Sequence, residues 1–175
     1  MLILAIRSES SPIGQEATRT FTETARRAQI VTAAIDTIAE LVARGVAYME
    51  PQVDAEPTGA GKLRAYIESN LAFTGENRSH MVAIFEIALN ARAADGSRLY
   101  DPSVQDAGVA ALQQLLTYFQ GTGEFRAGFD PRVMAVAIRA AINAVPAQLT
   151  RDPVLDIGHH ARELTDMFHI ATRPG

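Results

Sequence analysis

Glu86 is the lone acid inside the apolar run MVAIFEIAL. An unpaired carboxylate buried in such a run is strongly unfavourable, so its presence needs a reason. It binds a cationic ligand, pairs with an arginine such as Arg139, or faces solvent. Tyr66, Asn70, Phe73, Phe85, Tyr118 and Asn143 are likewise polar or aromatic residues set among apolar helical runs. With Glu86 they mark a candidate small-molecule pocket lined by core helices.

Other patterns point away from catalysis. Pro57-Thr58-Gly59-Ala60-Gly61-Lys62 resembles the end of a phosphate-binding loop, but Glu56 stands where the first glycine belongs. Leu63 also replaces the Ser or Thr that would hold magnesium, and no strand precedes the segment. His159, His160 and Glu163 have spacings that could place metal ligands on one helical face. Zinc wants at least three protein ligands, and His169 lies too far along to join them. No Ser, His and Asp fall in an arrangement that suggests a nucleophile. The expectation is a protein that is not an enzyme and holds no metal or cofactor.

Composition sets the outer bounds. The 175 residues, 47% hydrophobic and 21% charged, are enough for one globular unit with a real core. A net charge of −4 argues against indiscriminate nucleic-acid binding, while leaving room for a small basic reading head. With no cysteine, disulfides and thiolate metal sites are excluded. No apolar run approaches the roughly 18–20 residues of a membrane span, so a cytoplasmic protein is expected. Residues 1–19 are expected to form a loosely held arm.

The elements that must position these residues are helices. Thr20 and Glu23 fit a capping box, and Val31, Ile35, Ile38 and Val42 follow as an apolar stripe. Val46, Met49 and Val53 continue it, which allows one helix over residues 22–55, bent near Pro51, or two helices in phase. Leu63, Tyr66, Ile67, Asn70, Leu71 and Thr74 share a face of the next helix. Residues 79–93 are apolar nearly all round, as in a helix buried at the centre of a bundle. Asp101-Pro102, Asp130-Pro131 and Asp152-Pro153 each read as a helix entrance, with Asp at the cap and Pro in the first turn. The helices behind them carry Val109, Leu112, Leu116 and Phe119, then Val133 to Ala144, then Ile157, Ala161, Leu164 and Phe168. Pro146 is expected to kink or end the second. The fold class is all-α.

Two stretches carry a family resemblance. Arg26, Arg27 and Gln29 ahead of IVTAAIDTIAE resemble the first helix of TetR-family (tetracycline-repressor-like) transcription regulators. GEFRAGFDPRVMAVAIRAAINAV resembles the turn and penultimate helix of that family's C-terminal domains. The resemblance implies residues 20–40 as the first DNA-binding helix and residues 41–175 as a helical ligand-binding and dimerisation domain. It implies phosphate contacts for Arg26 and Arg27, operator DNA and a small-molecule effector as partners, and a homodimer. The two helices forming the dimer would contribute Val136, Ala140, Ala144, Ala161, Leu164 and Phe168, several of them small enough for close helix approach.

One departure from the family is large. Ile38-Ala39-Glu40 runs directly into Leu41-Val42-Ala43-Arg44-Gly45, where the family places its DNA-reading helices. The absent part amounts to on the order of 35 residues, two short helices with their turns. The expectation is a ligand-responsive repressor whose reading helices lie outside these residues. The alternative is an all-α ligand-binding or dimerising protein that lacks them and does not bind DNA.

Overall fold

A computed structural model describes Arg26, residues 36–90 and residues 103–175. The chain divides into two compact units, Met1–Glu40 and Leu41–Gly175. In the first, Arg26 is helical and exposed, and residues 36–40 are helical. Arg27, the expected capping box at Thr20 and the Asp101-Pro102 entrance lie outside the described residues.

The described residues are all-helical. The second unit opens with a helix over residues 41–54 (α1), which passes through Pro51. Then follow α2 (Gly59–Glu76), α3 (Arg78–Asn90), α4 (Ser103–Gly121), α5 (Pro131–Asn143), α6 (Val145–Leu149) and α7 (Ile157–Thr172). No helix among the described residues is long and apolar enough to cross a membrane.

The second unit is organised around α2. It packs most extensively on α7, while α4 pairs with α5 and α3 lies against α6. Leu63, Ile67 and Leu71 of α2 meet Val109, Leu112, Leu116 and Phe119 of α4 in one buried cluster. Those four α4 positions are the stripe that the periodicity predicts. Ala135, Ile138 and Ile142 bring α5 into the cluster, and Ile157, Ala161 and Phe168 bring α7.

Local chemistry explains where the elements start. Thr58 caps α2, its Oγ1 accepting from Gly61 N at 3.0 Å. Asp130 caps α5 by accepting from Val133 N at 2.9 Å, with Pro131 in the first turn. The predicted Asp152-Pro153 entrance is displaced: the cap of α7 is Asp156, which accepts from His159 N at 2.9 Å. Asp152 instead accepts from Val154 N at 3.1 Å, closing a turn. α5 stops at Asn143 with Ala144 as its C-cap, two residues before Pro146, which cannot continue the helix and instead sits in the first turn of α6.

Specific hydrogen bonds hold the turns. Gly123 takes a positive φ of 82° after α4, a conformation that suits a residue without Cβ. Beyond it, Gln120 Nε2 donates to the carbonyls of Arg126 and Phe129 at 3.0 and 2.9 Å. Arg126 N donates to Thr172 O at 2.9 Å, tying this loop to the end of α7. Arg78 reaches across to donate to Pro153 O and Leu155 O, both at 2.9 Å.

α3 departs from its expected place. Its apolar composition predicts a central helix, yet Met81, Val82, Ile84 and Phe85 are half-buried and Ile87 is exposed. The bundle centre belongs to α2, whose Ile67 and Leu71 are completely buried.

Candidate functional site

Three polar side chains are joined between α2 and α5, and a fourth, Asn70, stands one turn along α2 from one of them. Tyr66 and Asn70 stand one turn apart on α2, and Arg139 and Asn143 stand one turn apart on α5, so each pair shares a helix face. Arg139 Nη1 donates to the Tyr66 hydroxyl at 3.1 Å, and Nη2 donates to Asn143 Oδ1 at 3.2 Å. All four residues are half-buried. Arg139 Nε and Asn70 Nδ2 are buried without a hydrogen-bond partner. Gly108 of α4 faces the guanidinium so closely that a Cβ there would stand 3.4 Å from Nε and 3.5 Å from Cζ.

A second feature is an open groove of about 550 Å³ where α1 meets the end of α2, lined by Arg44, Ala47, Tyr48, Phe73, Glu76 and Asn77. The Tyr48 and Phe73 rings lie 5.7 Å apart at 48°. Tyr48 donates its hydroxyl proton to Glu76 Oε1 at 3.2 Å. Burial raises the Tyr48 pKa above its ordinary 10.0, and the Glu76 charge and hydrogen bond raise it further.

The predicted pocket residues therefore do not converge. Tyr66 and Asn143 meet Arg139 in the α2–α5 cluster, Asn70 is half-buried one turn from Tyr66, and Phe73 lines the α1–α2 groove. Phe85 is half-buried on α3, and Tyr118 is 65% exposed, its ring edge-on to Phe119. Glu86 is exposed, so of the three readings of this acid the burial that would favour a cationic ligand is not present. The apolar run misleads because α3 lies at the edge of the bundle, where its own outer face meets solvent.

Sequence reading names Arg139 only as a partner for Glu86. Here it is the centre of the cluster. The available signal was its position: a cation one turn before Asn143 inside the otherwise apolar run VMAVAIRAAI.

The start of α2 has its anion already. Glu124 Oε2 accepts from Gly59 N at 2.7 Å, which fills the place where a phosphate oxygen would sit at a helix N-terminus. Lys62 Nζ turns back to donate to Val53 O at 2.9 Å. His159 Nδ1 and Glu163 Oε1 are 3.9 Å apart on the outer side of α7, with both side chains largely exposed.

The expected dimer residues divide between surface and core. Val136 and Ala140 are exposed on α5 and Ala144 at its C-cap, together with Val133 and Ala137, and their spacing puts them on one face. Ala161 and Phe168 are buried in the protomer's own core, and Leu164 is half-buried against it. On α7 the exposed apolar residues are Met167 and Ile170 instead. The Ile157, Ala161, Leu164, Phe168 stripe is apolar because it packs on α2. In comparison with known proteins, the chain matches no family model, no curated protein and no solved structure.

Proposed function

We propose that this chain is a ligand-responsive transcription regulator of the TetR type, most simply a repressor, that works as a homodimer. The observation that carries the reading is the uncovered apolar face of α5, where Val133 and Val136 remain 67% and 46% exposed. A row of valines and alanines facing water is costly unless another surface covers it, and two-fold self-pairing is the commonest arrangement for soluble oligomers. This is the helix in which the resemblance to the family's C-terminal domain lies. Ligand binding among the core helices would favour one spacing of the two protomers' α1 helices. Operator half-sites stand about 34–36 Å apart, so a ligand preferring another spacing lowers affinity for DNA. By linkage, operator DNA weakens ligand binding by the same factor.

A gel shift with the DNA upstream of the chain's own gene tests this. A retarded band at low salt that weakens as salt rises is the expected result. No retardation at low salt contradicts DNA binding.

A second reading has its own support. Ile38-Ala39-Glu40 runs directly into Leu41-Val42-Ala43 with no turn or reading helix written between them, at the position where the family has them. On that basis the chain is a dimerising, ligand-binding protein that acts on other proteins of its kind without touching DNA itself. It predicts a dimer in solution together with a negative gel shift, a combination that separates the two readings.

A further inference from the structure

Among the described residues, the cluster between α2 and α5 has surplus hydrogen-bond donors and a cation with no paired carboxylate. A guanidinium carries five N–H donors and no acceptor. Two hydrogen bonds are made, to Tyr66 and Asn143, and both acceptors are neutral. Among the described residues no carboxylate pairs with Arg139. Nε–H has no acceptor, and Asn70 Nδ2, on the residue one turn from Tyr66, has none either. Buried donors are almost always satisfied, because leaving one unpaired forfeits its hydration without return. The unmet guanidinium donor, with a second unmet donor one turn along α2 from Tyr66, indicates a missing acceptor, and the lack of a paired carboxylate among the described residues indicates that it is an anion.

We propose that the Tyr66–Asn70–Arg139–Asn143 cluster binds a small organic monocarboxylate, with Arg139 as the residue that takes the carboxylate. The planar guanidinium matches a carboxylate with two parallel N–H donors, which a point charge such as Lys does not. One cation balances one negative charge. A phosphate, at about −2, would bring an uncompensated charge into a half-buried site. Tyr66 accepts from Nη1 through its oxygen and keeps its own O–H to donate to the second carboxylate oxygen. Asn70 Nδ2 supplies a further neutral donor. The charge preference is thus opposite to the one that Glu86 alone would suggest. The inference rests on the ligand-binding half of the reading above and does not depend on DNA.

Thermal unfolding of the full chain with sodium acetate, benzoate and octanoate, at fixed ionic strength, provides the test. Benzamide and inorganic phosphate serve as matched arms. Because a ligand that binds only the folded state raises its stability with concentration, at least one carboxylate should raise Tm progressively. Benzamide and phosphate should not. Arg139→Gln should weaken the carboxylate response about tenfold or more, since a charge-assisted pair is lost. Arg139→Lys should restore only part of it, and Tyr66→Phe should weaken it with less disturbance of the fold. If Arg139→Gln does not fold, the Lys and Phe variants decide. No Tm rise with any of the three carboxylates overturns the proposal. So does an equal rise in wild type and variants, or a rise with phosphate alone. A negative gel shift beside a carboxylate response would remove the DNA reading and leave this site standing.

Discussion

At the scale of single residues, two titrating groups show how local contacts reach into stability. Asp156 caps α7, and the hydrogen bond from His159 N, helped by the charge of Arg162, holds its carboxyl below the ordinary 3.8. A depressed carboxyl stabilises the fold above its unfolded pKa, and that contribution disappears as pH falls through the folded value. Asp156→Ala should therefore lower Tm at neutral pH, with the gap to wild type narrowing below pH 3.8, as thermal melts across acidic pH would show. Tyr48 behaves in the opposite sense. Its raised pKa means the fold retains the phenolic proton, so its stabilising effect is full below pH 10.0 and fades as pH climbs through the raised value. Ultraviolet titration should find a late-ionising tyrosine in wild type. Glu76→Gln should bring that ionisation down only part of the way, because burial is the larger cause. A variant that titrates like wild type would separate Tyr48 from Glu76 and dissolve that contact as an organising feature of the groove.

At the scale of elements, the start of α2 approaches α4 closely. A Cβ on Gly59 would stand 2.6 Å from Phe119 Cγ, and Phe119 is itself held edge-on between Tyr118 and Phe125. Gly59→Val should thus destabilise the unit by about 1–3 kcal/mol, the usual cost of overpacking, as a denaturant melt would measure. An unchanged midpoint would mean that α4 can move away freely. Such close approach is invisible in the sequence, where Gly59 reads as part of a glycine-rich loop. What the sequence does reveal is periodic. Val109, Leu112, Leu116 and Phe119 are predicted as one face of a helix and are buried as one face. Periodicity establishes that a face is apolar, but not what covers it. That gap accounts for α3, apolar yet peripheral, and for Ala161 and Phe168, which cover α2 rather than a second protomer. It also accounts for Arg139, whose partners lie 73 residues away on α2 and at Asn143. Caps are legible when Asp precedes Pro at a helix start, as at Asp130, and mislead when the same pair closes a turn, as at Asp152.

At the scale of the whole molecule, the question is what covers α5. Its inner residues Ala135, Ile138 and Ile142 are buried in the core, so the outer valines and alanines are not there to fill it. A stable protein–protein interface buries about 800 Å² per partner, more than one helix face alone supplies, so the exposed Met167 and Ile170 of α7 are candidates to extend it. Val136→Asp places a charge in the middle of the α5 face, where pairing would bury it in each protomer beside its twin. Because Val136 is already exposed, the same substitution should cost the isolated protomer little, within about 0.5 kcal/mol for a surface site. Light scattering should report a dimer for wild type and a monomer for Val136→Asp, with helical content preserved in both by circular dichroism. Met167→Asp tests the α7 contribution in the same way. A Val136→Asp variant that remains dimeric would move the interface off α5 and with it the main support for the regulator reading. A wild type already monomeric at high concentration would leave the α5 face solvated and remove self-pairing from the mechanism.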